Sequence, residues 1–330
     1  MTTTTGMTVG RPLRRAAHRR RRLTFDKASF MVVFLVLPLA VFVVFVAVPY
    51  AQSIYYALTN WRGFSDQMDF VGLANFGTIF TDEVFLASLR NSALLGAVMP
   101  TVILAIAFAI AFVVTSGGPA VGQVRGLAGS GLYRVVSFFP YAVPAIVTSL
   151  IWVQVFDPSR GLLNGLLTAV GLDQFENFAW LGNESTAMPA SMFTIAWGLI
   201  GFYTVLFVAA IKGVPAETYE AARIDGAGRF RTAVFVALPQ VLGNVRVAYI
   251  YLGLMVIDSF GYMMVLNPQG GPNYSTLTLT QELYLTAFKN GQFGLATAMG
   301  LTLAGVTLLY AAVIFGVFRL VGGRDERGRA

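Results

Sequence analysis

The chain has 330 residues, of which 56% are hydrophobic and 12% are charged, and its mean hydropathy is +0.68. This composition is too apolar for a soluble core and predicts that lipid surrounds much of the protein. The chain contains no cysteine, and its single histidine is His18, which excludes disulfide frameworks, thiol catalysis and the commonest zinc sites. We expect no metal site and no catalytic residue.

The net charge of +7 includes a basic arm between Arg11 and Arg22. Taken alone, this arm could indicate nucleic-acid binding, but it directly precedes a long apolar segment, where arginines typically remain in the cytoplasm. The apolar stretch 29–50 is longer than a signal-peptide core, and no small-x-small site follows Pro49. We therefore predict an uncleaved first span and no nucleic-acid partner.

Six stretches are long and apolar enough to cross a bilayer, and they must do so as helices. They cover about 29–50, 91–115, 133–156, 190–212, 245–266 and 294–320. The predicted fold class is an all-α integral membrane protein with six transmembrane helices. Its predicted parts are a cytoplasmic N-terminal arm at 1–28, a membrane domain at 29–321 and a cytoplasmic tail at 322–330.

Lysine and arginine predict the orientation of these spans. With the N-terminus inside, 19 of the 23 basic residues are cytoplasmic, and only Arg62, Arg90, Arg160 and Lys289 lie outside. The positive-inside rule therefore predicts that both termini are cytoplasmic. Aromatic residues are frequent in the outer loops at 51–90 and 157–189, where they fit either a membrane-interface belt or a docking surface for an external partner.

Residues 214–239 are predicted to face the cytoplasm and differ from an ordinary polar loop. Pro215 suits a first helical position, Gly226 allows a bend and Pro239 favours a break, so the segment reads as two short helices. In the second piece Phe230, Val234 and Leu238 recur at helical spacing and form an apolar stripe. That stripe either packs against the protein's own helix ends or inserts into a partner.

Residues 214–239 resemble the EAA loop of the permease subunits of binding-protein-dependent ABC importers, and we name them the coupling segment for that resemblance. The family pattern is Glu-Ala-Ala, three residues, Gly, nine residues, an aliphatic residue, any residue, then Leu-Pro. The chain matches it at these intervals with Glu220, Ala221, Ala222, Gly226, Val236, Leu238 and Pro239. The resemblance implies the type I ABC importer transmembrane fold, in a multi-pass protein of the bacterial inner (plasma) membrane.

The resemblance also implies roles and partners. The coupling helix would seat in a cleft on a separate ATPase through the motif residues together with Asp225, Phe230 and Val234, and Glu220 would pair there with a basic residue. The chain itself would bind no cofactor and be non-catalytic, and ATP and Mg would be handled by the ATPase. The expected partners are two ATPase copies, a second permease, an extracellular solute-binding protein, the substrate and membrane lipid.

Within this family the chain is similar to the sugar branch, the maltose and glycerol-phosphate type of permease. Matching pieces include Phe70–Phe76, Gly161–Asn164 and the pair Tyr284 and Phe288. The segment Leu266–Pro272 departs from the branch pattern, with one extra residue and no threonine. The resemblance implies a permease for a sugar or sugar derivative that forms half of the translocation path.

Asp258 is the one carboxylate well inside a predicted span, so it should face a cavity or a partner rather than lipid. Helical spacing puts Tyr251, Leu254, Met255 and Tyr262 on its face, where rings and a carboxylate could hold a sugar. An interhelical hydrogen bond would also explain Asp258. Further polar or amphipathic candidates near span ends are Trp152, Gln154 and Asn267.

Two other classes compete with an importer subunit. A secondary, ion-coupled carrier would use ionisable residues at mid-membrane, of which the sequence offers only Asp258. A membrane-embedded hydrolase would need clustered histidine, serine or paired carboxylates, and the sequence has no such cluster. The absence of a glycine before Lys27, Lys212 or Lys289 also excludes a Walker A loop.

Overall fold

The computed structural model describes residues 25–64, 68–115 and 130–327, with side chains at 26, 29–64, 68–115 and 136–320. Of the predicted arm at 1–28 only residues 25–28 are described, whereas residues 322–327 of the predicted tail at 322–330 are described as the end of the last helix. The chain divides into two compact units, Met1–Gln52 and Ser53–Ala330. The described part contains no β-strand, only an isolated antiparallel bridge between Thr59 and Phe70.

The described α-helices follow one another in chain order. They are α1 (Phe25–Met31), α2 (Leu37–Phe42), α3 (Val48–Ala57), α4 (Ala74–Thr81), α5 (Glu83–Thr115), α6 (Ser130–Ala142), α7 (Ala145–Val155), α8 (Leu162–Ala169), α9 (Glu184–Lys212), α10 (Ala216–Ile224), α11 (Arg229–Thr232), α12 (Leu238–Gln240), α13 (Leu242–Ile257), α14 (Phe260–Leu266), α15 (Leu279–Tyr284) and α16 (Phe293–Arg327). Short π-helical turns join α1 to α2, α2 to α3 and α11 to α12.

Four continuous stretches are long and apolar enough to cross a membrane: Ser29–Ala57, Glu83–Thr115, Glu184–Lys212 and Phe293–Leu320. Two bent pairs bring the number to six when each counts as one span, namely Val136–Ala142 with Ala145–Val155 and Arg229–Gln240 with Leu242–Ile257. The prediction of an all-helical protein with six spans is therefore confirmed. Two of the spans are broken rather than straight.

The third span bends by 107° between α6 and α7. Pro144 caps α7 with an extended backbone (φ −55°, ψ 141°), as expected for a residue whose ring removes an N–H and blocks helix continuation. The predicted fifth span, 245–266, is also not continuous. It divides into α13 and α14 at Asp258 and Ser259, and a 76° bend at Val241 separates α13 from the coupling segment.

Within the unit Ser53–Ala330, the main core lies where α5 packs against α9 and α13. Its fully buried side chains include Leu95, Ile103, Leu199, Phe207 and Leu252. Between helices that are already in lipid, close van der Waals packing rather than removal from water provides stability. At Gly201 an added Cβ would overlap the Ser137 carbonyl, so glycine permits the close crossing of α9 and α6.

On the predicted outer side, buried side chains hold the segment between α14 and α15. Asn91 donates through Nδ2 to the carbonyls of Tyr274 (2.9 Å) and Leu277 (3.0 Å), and the Ser92 hydroxyl accepts from the Leu279 amide at 2.8 Å. Gln281 Nε2 donates to the Asn267 carbonyl at 2.6 Å. These bonds satisfy backbone groups that have no ladder partner, which fixes an irregular segment at the end of the bundle.

Candidate coupling and translocation surfaces

The first piece of the coupling segment is α10, and it is attached to the protein by one face. Pro215 is its N-cap, so the helix begins one residue later than predicted, and Glu217 lies in its first turn. Tyr219 and Ala222 are buried, and the Tyr219 hydroxyl donates to the Ile211 carbonyl at 3.3 Å. Burial raises the pKa of Tyr219 above its ordinary value.

Gly226 ends α10 through a defined hydrogen-bond motif. The Ala227 amide donates to the Ala222 carbonyl at 2.9 Å and the Gly226 amide to the Arg223 carbonyl at 3.0 Å, which together form a Schellman motif. This motif needs a left-handed residue, and Gly226 supplies it at φ +74°. The predicted bend therefore has a specific backbone cause.

The remaining face of α10 is open. Glu220, Ala221 and Asp225 are exposed, whereas Ala222 is not, so the motif Glu-Ala-Ala presents two of its three residues. Ile224 extends this face and is 85% exposed. Neither Ile224 nor the burial of Ala222 could be read from the motif, because the motif does not say which neighbours the helix packs against.

The second piece differs from the predicted apolar stripe. Phe230 is 79% exposed, but Val234, Val236 and Leu238 are half-buried, and the additional exposed ring is Phe235. Val234 and Phe230 line a cavity of about 270 Å³ together with Phe108 and Phe112 of α5. The later residues of the stripe therefore pack against the chain itself, whereas Phe230 and the neighbouring Phe235 are exposed.

Pro239 is exposed and stands two residues after the π-helical turn Ala233–Ala237, in which the Leu238 amide donates to the Ala233 carbonyl. Proline has no N–H for the fourth preceding carbonyl and collides with it, and widening the preceding turn relieves that collision. In the unit Met1–Gln52, Pro38 and Pro49 likewise each stand two residues after the end of a π turn. Sequence hydropathy does not reveal such turns.

Three of the predicted pathway residues share an open surface. Tyr251 is 64% exposed, Met255 is 38% exposed, and Asp258 is exposed at the end of α13. Asp258 caps that helix with φ −96° and ψ 54°, so the helical phase ends there. The spacing that would place Tyr262 on the same face is interrupted, and Tyr262 is buried instead, close to Gly198 of α9.

The other three pathway candidates lie apart from this surface. Asn267 is buried and donates through Nδ2 to the Ser191 hydroxyl at 3.2 Å. Gln154 is exposed on α7. Trp152 packs against Phe156, Phe193 and Trp197 and lines an apolar cavity of about 470 Å³ between α7, α8 and α9. The structure thus brings together Tyr251, Met255 and Asp258 but not the remaining candidates.

Among the described residues, no three histidine, cysteine, aspartate or glutamate side chains lie close enough to hold a metal ion. The arrangement offers two uncovered surfaces. One is on α10 and the turns after it, and the other runs along α13.

Comparisons with known proteins identify the family of the chain. A family model described as "Binding-protein-dependent transport system inner membrane component" matches residues 116–324. The diacetylchitobiose uptake system permease protein NgcF of Streptomyces coelicolor is 55% identical over 311 residues, which cover 94% of this chain and 88% of that protein. The multiple sugar-binding transport system permease protein MsmF of Streptococcus mutans is 32% identical over 270 residues, with 82% and 88% covered.

The fold has a counterpart among solved structures. The crystal structure of a bacterial ABC transporter involved in the import of the acidic polysaccharide alginate aligns with a TM-score of 0.74 at 20% identity, covering 90% of this chain and 98% of that chain. A secondary carrier and a membrane hydrolase no longer compete as alternatives. With a family model across more than half of its length and a 55% identical relative across nearly all of it, the chain belongs to the binding-protein-dependent transport system inner membrane components, the permease subunits of ABC importers.

Proposed function

We propose that this chain is one permease subunit of an ATP-driven importer of a sugar or sugar derivative. Six spans provide half of a translocation path, and a second, related permease provides the other half. The names of the relatives support the substrate class, since one concerns diacetylchitobiose and another several sugars. Diacetylchitobiose is therefore the first substrate to test.

The observation that carries the coupling proposal is the divided surface of α10. Tyr219 and Ala222 attach the helix to the membrane domain, while Glu220, Ala221 and Ile224 remain open. Exposed apolar side chains beside a carboxylate suit a partner cleft that is apolar inside and basic at its rim. We assign this cleft to the ATPase, with Phe230 seated in it and Gly226 and Pro239 setting the angle of the two pieces.

The chemistry of ATP then belongs to the partner. Two copies of the ATPase bind ATP and Mg, and this chain converts their closure into movement of α9 and α13, the helices that flank the coupling segment. An extracellular solute-binding protein delivers the sugar to the outer face. Both termini lie in the cytoplasm, which places the coupling segment on the ATP side of a bacterial plasma membrane.

Along the path we assign the open surface of α13 to the lumen. A carboxylate inside a span is costly in lipid and is tolerated where it faces water or a partner. Asp258 can accept hydrogen bonds from sugar hydroxyls, and Tyr251 and Met255 provide apolar contact for the sugar faces. We assign no part of this surface to Tyr262, Trp152, Gln154 or Asn267, which the structure holds elsewhere.

The test is uptake into proteoliposomes that contain both permeases, the ATPase and the binding protein. Labelled diacetylchitobiose should accumulate only with ATP inside, and uptake should persist when ionophores collapse the ion gradients. Uptake that stops with the ionophores and needs no ATP would contradict the proposal.

Two exposed glutamates on α10 provide a matched pair for the coupling step. Glu220→Ala should remove sugar-stimulated ATP hydrolysis and uptake, whereas Glu217→Ala, one turn earlier on the same helix, should retain both. Both variants should reach wild-type amounts in the membrane, because neither side chain is buried. Equal activity of the two variants would show that the carboxylate at 220 has no special role.

A further inference from the structure

Aromatic rings form a continuous run on the predicted outer side of the unit Ser53–Ala330. Ring centroids lie 5.2 Å apart for Phe260 and Tyr284, 5.1 Å for Tyr284 and Phe288, 5.5 Å for Phe288 and Phe293, and 5.6 Å for Phe293 and Phe64. These five residues, named here the aromatic run, come from α14, α15, the turn after it, α16 and the first outer loop. Chain segments far apart in sequence thus contribute to one surface.

None of the rings of the aromatic run is fully buried. Phe64 is 93% exposed and Phe288 is 65% exposed, and Tyr284 is also exposed. Phe260 and Phe293 are half-buried beneath them. Exposed rings that adjoin one another form an apolar patch, which in a membrane protein faces lipid, a lumen or another chain.

The inner end of the aromatic run indicates which environment it faces. Phe260 begins α14 two residues after Asp258, and Asp258, Met255 and Tyr251 are exposed on the adjoining α13. A surface that includes an intramembrane carboxylate faces a cavity or a partner rather than lipid. At the outer end, Asn290 and Gln292 are exposed and offer amide donors and acceptors beside Phe288 and Phe293.

We propose that the aromatic run is a carbohydrate-binding track that guides the sugar from the outer mouth to Asp258. Flat rings cover the apolar faces of pyranose units, and the amides of Asn290 and Gln292 and the carboxylate of Asp258 bond their hydroxyls. Because each ring contributes a small and similar contact, a sugar can move between neighbouring positions without being held at any one. The proposal rests on the sugar-import function proposed above and adds the route that the sugar takes along this chain.

The first test separates sugar passage from ATP chemistry in the complete reconstituted complex. Phe288→Ala should lower the number of sugar molecules imported per ATP hydrolysed by about 2- to 10-fold, the range expected for loss of one aromatic contact. ATP hydrolysis should stay at the wild-type rate, because the coupling segment is unchanged. A merely structural role would lower both rates together.

Three further variants complete this test. Phe64→Ala should act in the same direction, and because Phe64 is 93% exposed, its removal should not lower the amount of folded protein. Phe288→Trp, which keeps a flat ring, should restore the sugar yield per ATP. Phe80→Ala is the control, since Phe80 is a half-exposed ring on α4 outside the aromatic run. A wild-type yield in both alanine variants of the run would overturn the proposal.

A second measurement asks what the exposed rings touch. In Phe288→Trp, the fluorescence added relative to the wild-type complex should change on addition of diacetylchitobiose and should not be quenched by phospholipids with brominated acyl chains. Quenching by these lipids without any response to the sugar would identify a membrane-interface belt and overturn the track. If the wild-type complex imports no sugar at all, the proposed function fails. If the wild-type complex imports sugar and removal of the rings does not change that import, only the track fails.

Discussion

Gly226 is the residue at which the coupling segment depends most directly on backbone geometry. Its φ of +74° lies in the left-handed region, whereas Gly228, two residues later, has φ −67°. At both positions an added Cβ would meet open space. The two glycines therefore differ in backbone conformation but not in the space available for a side chain, which makes them a matched pair.

We predict that Gly226→Ala weakens coupling and that Gly228→Ala does not. A side chain at Gly226 should destabilise the left-handed conformation by about 1–2 kcal/mol and loosen the Schellman motif. Sugar-stimulated ATP hydrolysis by the complete complex should fall several-fold for Gly226→Ala and stay near wild type for Gly228→Ala. Gly226→Asn should retain more activity than Gly226→Ala, because asparagine tolerates the left-handed region. Equal activities of the two alanine variants would argue against a role for the turn.

Glu282 on α15 gives a prediction about pH. Burial raises the pKa of this carboxyl above its ordinary value, the Thr286 hydroxyl that donates to it at 3.2 Å acts in the opposite direction, and the negative charge of Asp82 adds to the rise. The folded protein therefore holds the proton more tightly than the unfolded chain. Stability is highest below the unfolded pKa and decreases as the pH rises through the folded pKa.

Glu282→Gln removes this titration and keeps an oxygen that can accept from Thr286. The variant should melt at a higher temperature than the wild type at neutral pH, and the difference should shrink at pH values below the ordinary glutamate pKa. Glu83→Gln, at an exposed carboxylate at the start of α5, is the control and should melt like the wild type at both pH values. A difference for Glu282→Gln that does not depend on pH would assign the effect to packing.

At the scale of helices, the sequence predicted what hydropathy can detect. The number of spans and the two short helices of the coupling segment follow from composition, proline and glycine. Composition does not predict that α5 starts at Glu83 rather than near residue 91. Residues 83–90 are amphipathic and are held by buried Phe85 and Ser88. The break at Asp258 is also hidden, since no proline marks it. The faces of α10 depend on tertiary neighbours that no local pattern contains.

Two adjacent alanines on α10 test the division of that helix into an attached face and an open face. Ala222→Leu adds volume at a buried position and should cost about 1–3 kcal/mol, seen as a lower melting temperature of the purified protein. Ala221→Leu adds the same volume on the exposed face and should leave the melting temperature unchanged.

The same pair separates folding from coupling. Ala221→Leu should weaken copurification of the ATPase and lower ATP-driven uptake, because the added volume points into the proposed cleft. Full ATPase binding by Ala221→Leu together with a normal melting temperature would place the partner elsewhere. A lowered melting temperature for Ala221→Leu would instead contradict the open face of α10.

At the scale of the whole molecule, the importer mechanism requires a particular orientation in the membrane. The charge distribution predicts that the coupling segment and both termini are cytoplasmic and that the turn between α7 and α8 is external. Because the chain contains no cysteine, any introduced cysteine is its only thiol. Ser159 in the α7–α8 turn and Gly228 in the coupling segment are both exposed, and Gly228 has open space for a side chain.

A membrane-impermeant maleimide should therefore label Ser159→Cys in intact cells and Gly228→Cys only after the membrane is opened. Labelling of both variants after permeabilisation is the control for thiol reactivity. The reverse pattern would place the coupling segment outside, away from ATP, and would remove the basis for its assignment to the ATPase cleft. The expected pattern would leave α10 and the aromatic run on opposite sides of the membrane, as energy input and sugar entry at opposite faces require.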